Sequence, residues 1–265
     1  MEPHLHESLR ARALSSAALR HGRQAHRRAR RVPFLGPANW DPKDPVSGFS
    51  LFPVSDDTNP DDPGGPNGKK FATNSYEFFR SLKLCALSLL ESAQGGTNGT
   101  RVAGTQLGGW DHHDGQGTLT GIHPDLMSWL AYGMRSLYIV LSGQATDPRG
   151  YASIWDDTTV ITLTEFGRTS RENGSLGTDH ANALGVLAAG GRINGGVYNC
   201  DGSTWEQGVM FGVEGRYLEH RTDYRAIAWE ILRDHMGADL ATREAIFPGY
   251  GSLGLDAQEL GLVHL

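Results

Sequence analysis

The chain has 265 residues, 38% of them hydrophobic and 35 of them glycine, with a net charge of −6. That length suffices for one large α/β domain with a sizeable core, and the acidic balance points away from nucleic acid and anionic membranes as partners. Two cysteines, Cys85 and Cys200, exclude a disulfide framework and a cysteine-rich zinc site, so any metal has to be held by histidine and carboxylate. No apolar run reaches the roughly 18 residues of a membrane span, and no apolar segment follows the basic N-terminus as an export signal requires.

Residues 1–32 form a basic leader, with Arg10, Arg12, Arg20, Arg23, Arg27, Arg28, Arg30 and Arg31 set against Glu2 and Glu7. It is expected to be a solvated leader or a basic helix, the latter a candidate contact for a protein partner. Residues 33–70 hold eight of the twelve prolines, mixed with Gly, Asp and Asn. Such a composition sustains neither a helix nor a central strand and predicts a surface loop or linker, pinned to the body by Phe49, Leu51 and Phe52.

Residues 71–265 are regular. Asn74 or Ser75 caps a predicted helix on which Phe78, Leu82, Cys85, Ala86 and Leu89 recur at helical spacing, ending at Gly95-Gly96. "TRVAGTQLGG" predicts a short buried strand. His123-Pro124-Asp125 opens a second helix, with Leu126, Leu130, Met134, Leu137 and Leu141 on one face and Gly143 closing it. "TTVITL" and "GVLAAGG" predict two more strands, and Thr222 or Asp223 caps a last long helix through Ile227, Ile231 and Leu232 to Gly237. The alternation predicts an α/β fold with a mixed, mostly parallel sheet flanked by helices.

In such sheets ligands gather beyond the carboxyl ends of the strands. The first predicted strand runs into "GGWDHHDGQG", which supplies Asp111, His112, His113, Asp114 and Gln116. The second runs into Glu165 and Arg168, and the following loop carries Asn173, Asp179 and His180. Carboxylate oxygen with neutral imidazole nitrogen suits zinc first, with manganese, calcium or magnesium as alternatives. Each group has an ordinary reading beside the chemical one: a polar turn for the His112-His113-Asp114 run, a cap for Asp179-His180, and a Glu165–Arg168 ion pair. The remaining histidines, His123 and His235 among them, read as surface, leader or tail residues.

Four ordered blocks, "GGWDHHDGQG", "TEFGRTSRENGSLGTDHAN", "GGRINGGVYN" and "RTDYRAIAWEIL", resemble successive signatures of the domain-of-unknown-function 1501 family, within the alkaline phosphatase and sulfatase superfamily. The likeness covers about residues 71–251. It implies an alkaline-phosphatase-like core and hydrolysis of a small-molecule phosphate or sulfate ester. Asp111 and His113 match the family's Gly-Trp-Asp-x-His element and His180 its Thr-Asp-His element, which implies a metal shell. Glu165 falls where a second ion takes an acidic ligand, Asp179 orients His180 or ligates, and Arg168 and Asn173 are candidate substrate contacts at the catalytic centre. The family's N-terminal strand, with its Gly-Gly-x-Asp-Gly element and the nucleophile that follows, has no counterpart before Phe71. The chain is therefore expected to resemble the C-terminal half of the fold, and the alternative function is a non-catalytic binding or assembly subunit. Family members are often exported while this chain shows no export signal, which leaves the compartment open.

Overall fold

The computed structural model describes residues 39–54, 73–95, 99–200 and 215–264. The basic leader and much of the Pro-rich stretch lie outside the described residues. The protein is a mixed helix and strand structure built on two long α-helices packed together, a long irregular hairpin and a C-terminal cluster of short helices.

Helix α1, Thr73–Ala93, buries Phe78, Phe79, Leu82, Ala86, Leu87 and Leu90 at helical spacing. Helix α2, Ile122–Leu141, carries Pro124 in its first turn, where the missing N–H costs no hydrogen bond, and Gly143 follows its C-cap at φ +71°. Its buried stripe runs through Leu126, Trp129, Gly133, Leu137 and Val140, so the core face is turned slightly from the expected one and Leu130 and Met134 are only half-buried. Gly133 faces α1: a Cβ there would stand 3.0 Å from the Phe78 ring, so the absent side chain is what lets the two helices approach.

Residues 39–54 belong to this core and are not a surface linker. Trp40, Leu51 and Phe52 are fully buried with Pro42 and Pro53 beside them. The prolines bring no N–H to satisfy, and the segment's own donors are paired: Lys43 and Thr146 exchange backbone hydrogen bonds at 2.9 Å, and Leu51 N–H donates to Pro42. Tyr132 Oη donates to the Ser50 carbonyl at 2.8 Å and Trp40 Nε1 to Asp147 Oδ2 at 2.8 Å. Large apolar side chains outweigh the proline content that predicts exposure.

The strand expected over residues 100–109 is absent. The stretch is extended coil, with Val102 75% exposed, and only Leu107 and Trp110 turn toward the helical core. Four residues of "TRVAGTQLGG" are glycine or alanine, too little apolar surface to hold a strand against the helices.

The expected second and third strands form as β1, Thr159–Ile161, and β4, Ala188–Gly190, and they pair antiparallel, Thr159 opposite Gly190. Between them lie β2, Gly167–Arg168, and β3, His180–Ala181, also antiparallel. Both ladders among the described residues are antiparallel, where the helix–strand alternation predicts parallel pairing. A parallel pair needs a crossover, and the chain from β1 to β4 holds no helix to make one; it turns back on itself instead. The two ladders belong to one hairpin, since Ile161 pairs with Ala188 and Gly167 with Ala181, a slip of one residue between them. Such a slip switches which side chains share a face, and here it sets the face that carries Arg168 and His180.

The C-terminal helix starts at Asp223, whose carboxylate accepts from Arg225 N–H, and runs as α3, Tyr224–Glu230, into a π-turn, Ile231–His235, before Gly237 at φ +66°. A further helix, α4, Leu240–Ile246, capped by Asp239, has no counterpart in the expected elements. Ile227 packs with Leu262 and Val263 against Ile161 and Ala188, tying α3 to the hairpin stem. Glu230 is fully buried on this helix, and its two carboxylate oxygens accept the backbone N–H groups of Leu260 and Leu262.

Candidate functional site

The tip of the hairpin and the loop before α2 are laced together through their backbones. Gly115 N–H donates to Ser175 O at 3.0 Å, Gln116 N–H to Leu176 O at 2.9 Å and Thr178 N–H to His112 O at 3.0 Å. Trp110 roots the loop in the helical core, its indole N–H bonded to Leu107 O at 2.8 Å. Gly177 allows the close approach, because a Cβ there would lie 2.3 Å from the His113 carbonyl carbon and 2.5 Å from Asp114 N. On the other strand Gly167 meets Ala183 in the same way, its absent Cβ falling 2.0 Å from that carbonyl oxygen.

This lacing brings together three of the expected residues. Asp111 Oδ1 lies 2.8 Å from His180 Nε2 and 3.1 Å from His113 Nε2, and the two imidazole nitrogens are 3.2 Å apart. Their ligand atoms form the one His/Cys/Asp/Glu group of three or more so gathered among the described residues. The side chains are 57%, 50% and 49% exposed, so the cluster opens to solvent and to small solutes.

The neighbours fix each donor. Arg168 stands opposite His180 in the β2–β3 ladder; its Nη2 donates to Asp111 Oδ1 and to Trp110 O, both at 2.6 Å, and its Nη1 to Thr178 O at 2.5 Å. The fork is thus committed to protein acceptors, and Arg168 positions Asp111 where a substrate contact is expected from the resemblance. Phe166, two residues before Arg168 and on the same face, stacks on His180 with centroids 4.0 Å apart and planes 13° off parallel. Asp179 Oδ1 faces His113 Nδ1 at 3.3 Å and accepts from Asn173 Nδ2 at 3.0 Å, while its Oδ2 accepts from Arg216 Nη2 at 2.6 Å. Asn173 also donates to the His113 carbonyl and accepts from Ser175 and Gly177 N–H, so it holds the hairpin tip.

Glu165 is not brought to the cluster. It is exposed, hydrogen-bonds to nothing among the described residues, and does not pair with Arg168. Asp179 contacts His113 and not its neighbour His180, and with both oxygens engaged it stands beside the donors instead of among them.

Electrostatics follow the contacts. The hydrogen bond from His180 is the chief effect holding Asp111 below the usual carboxylate range, with Arg168 and the His113 charge adding to it. Asp179 is held low first by the Asn173 amide, then by His113 and Arg216. Next to the cluster, His112 is 95% buried between the Trp110 and His123 rings, and burial lowers its pKa and that of His123.

The matched signature covers most of this assembly. Residues 93–209 match the model of the family described as Protein of unknown function (DUF1501). The DUF1501 match contains every donor, the hairpin tip and Arg168, and stops short of Arg216. No curated protein and no solved structure matches the chain.

Sequence reasoning missed Arg216 and Phe166. Arg216 sits in "GRYLEH", which carries no pattern linking it to Asp179. Phe166 was legible in principle, since an aromatic two residues from Arg168 on a strand shares its face.

Proposed function

We propose that Asp111, His113 and His180 hold a divalent cation, zinc ahead of manganese, calcium or magnesium, in a metal-dependent hydrolase of small phosphate or sulfate esters. The observation that carries this reading is the convergence of Asp111 Oδ1, His113 Nε2 and His180 Nε2 within 3.2 Å of one another, with a carboxylate facing each nitrogen of His113. His113 Nδ1 faces one carboxylate and its Nε2 faces another, so a neutral His113 leaves one nitrogen lone pair set against an acceptor. With both nitrogens protonated, His113 Nε2–H, His180 Nε2–H and Arg168 Nη2 would all be donated to the single oxygen Asp111 Oδ1. One cation shared by Asp111 Oδ1 and the two Nε2 atoms satisfies every contact, with Nδ1–H left for Asp179. Ligands around a tetrahedral ion at about 2.0–2.2 Å stand about 3.3–3.6 Å apart, so the 3.1 and 3.2 Å pairs need little opening to admit an ion and the 2.8 Å pair about half an ångström.

Three protein donors leave a coordination position for water or an ester oxygen, where the ion would polarise the bond and stabilise developing negative charge. The chain's own residues supply the rest: Arg168 and Asn173 fix the two loops, Phe166 covers one face of His180, and the open side admits a small ester. The alkaline-phosphatase-like architecture and the ester substrates are supported by the four sequence blocks, an argument from analogy.

A second reading, a non-catalytic binding or assembly subunit, is favoured by one observation. No hydroxyl among the described residues hydrogen-bonds to Asp111, His113 or His180; Thr178 Oγ1 is given to Gln116 at 2.5 Å and Thr169 Oγ1 to Arg171 O at 3.0 Å. Residues 1–32 are then the candidate contact for a protein partner.

Metal analysis of the purified chain with aryl phosphate and aryl sulfate assays separates the readings. A stoichiometric ion with turnover that His180→Ala abolishes supports the hydrolase. A stoichiometric ion without turnover supports the binding subunit, and no ion at any of the three donors overturns the metal site itself.

A further inference from the structure

The residues around His113 form a chain that leads away from the donors. His113 Nδ1 meets Asp179 Oδ1 at 3.3 Å, Asp179 Oδ1 meets Asn173 Nδ2 at 3.0 Å, and Asp179 Oδ2 meets Arg216 Nη2 at 2.6 Å. Arg216 is in turn fixed by its backbone, since Ser170 N–H donates to Arg216 O at 2.8 Å and Ser170 Oγ–H lies 2.9 Å from the same oxygen. Ser170 lies two residues beyond β2, and Thr169 N–H between them donates to Asp179 O at 2.9 Å, so the ladder that seats His180 also seats the Arg216 segment.

We propose that Asp179 is a positioning residue for His113, and that Arg216 and Asn173 position Asp179. The proposal rests on the metal reading of Asp111, His113 and His180. Both Asp179 oxygens are spent, one on His113 and Asn173, the other on Arg216, so the carboxylate orients an imidazole instead of joining the donors. By accepting Nδ1–H it selects the tautomer whose Nε2 lone pair points at Asp111 and His180. An anionic acceptor behind an imidazole also raises the basicity of the opposite nitrogen, and so its strength as a ligand. Arg216 prevents Asp179 from swinging toward the cation: turning Oδ2 inward would break a 2.6 Å charge-assisted bond. Among the described residues His180 has no such carboxylate behind it. Its ring is held by Phe166 stacking, so the two imidazoles are oriented by different means and respond differently to substitution.

The arrangement gives Arg216 a reach that its position in the sequence hides. It lies 37 residues from Asp179 and outside the DUF1501 match, yet it acts on a donor nitrogen through one intervening carboxylate.

The test uses zinc affinity, read by competition with a chromophoric chelator, and the tautomer of His113, read by long-range proton–nitrogen NMR of the metal-free full chain. Asp179→Ala is expected to weaken zinc about 10- to 100-fold, and Asp179→Asn, whose amide oxygen still accepts from Nδ1–H, to recover part of it. Arg216→Ala is expected to weaken zinc several-fold and Arg216→Lys less. In the NMR spectra the wild type shows His113 protonated at Nδ1, and Asp179→Ala loses that preference while His180 is unchanged. Zinc affinity unchanged in Asp179→Ala overturns the proposal. So does loss of binding as complete as in Asp111→Ala with no recovery in Asp179→Asn, which makes Asp179 a ligand. If the wild type takes up no zinc, the metal reading falls, and the His113 tautomer still decides the positioning claim: no Nδ1–H preference, or one insensitive to Asp179→Ala, overturns it.

Discussion

Arg168 and His180 stand opposite each other in a two-residue ladder and reach the same oxygen, Asp111 Oδ1, at 2.6 and 2.8 Å. The guanidinium also ties two backbone carbonyls that belong to the two loops of the site, Trp110 O and Thr178 O. A lysine has neither the fork nor the span to serve all three acceptors. Arg168→Lys is therefore expected to cost about 1–3 kcal/mol of stability in urea unfolding, with zinc affinity falling as Asp111 loosens. A variant that keeps full stability while only the KM for an ester rises would make Arg168 a substrate contact.

Gly177 offers a sharper test of the backbone lacing. Gly177→Ala forces a methyl onto the His113–Asp114 peptide and is expected to cost about 1–3 kcal/mol and to loosen the donor cluster. Gly174, three residues earlier on the same tip, has open space around its missing Cβ, so Gly174→Ala should stay within about 0.5 kcal/mol. Thermal melts of the two variants side by side read the difference, and equal losses would mean the tip is not held as described.

Metal and stability should move together. Zinc at 100 times its Kd is expected to add about 2.7 kcal/mol by mass action, to be reversed by a chelator, and to do nothing for His180→Ala. An equal rise in Tm for wild type and His180→Ala would place the ion elsewhere.

Acid should weaken the fold. Burial lowers the pKa of His112, His123 and His235 in the folded protein. The unfolded chain then binds more protons than the folded one once pH drops below the free imidazole value, about 6.5. Stability is retained above that value and falls as pH descends toward the lowered folded values. Melts in chelator from pH 8 to pH 5 should show this decline, and His235→Leu should flatten it. A Tm that holds level or climbs toward pH 5 would contradict the burial of these rings.

Glu230 is the buried carboxyl group on which the C-terminal segment hangs. Glu230→Ala strands the N–H groups of Leu260 and Leu262 in the core and is expected to cost about 2–4 kcal/mol. Proteolysis of the last residues should begin at lower temperature in the variant, and an unchanged cleavage profile would argue against the clamp.

The sequence made the helices and most of their ends legible because their signals are local: helical spacing in 78–90, Pro124 in a first turn, Asp223 as a cap and Gly237 as a stop, while the expected caps Asn74 and Ser75 fall inside a helix that already begins at Thr73. Asp111, His113 and His180 were legible because adjacent motif residues carry the donors. Pairing direction was not, since whether β1 and β4 run parallel depends on the path of 26 intervening residues and not on either strand. The fate of residues 39–54 was half legible: Leu51 and Phe52 pin the stretch as expected, while the burial of Trp40 was not foreseen. Proline content speaks for the backbone, while Trp40, Leu51 and Phe52 decide burial only once a groove exists to receive them. Glu165, expected from the resemblance as an acidic ligand for a second ion, lies exposed in a bend and outside the Asp111, His113 and His180 group.

His113 and His180 are 67 residues apart in sequence and 3.2 Å apart in space. An ion gripping both would act on the unfolded chain as a reversible staple, closing a loop whose entropy grows with the logarithm of its length. Within that loop lie α2 and β1, so the order in which ion and chain come together would change the route of folding as well as its endpoint.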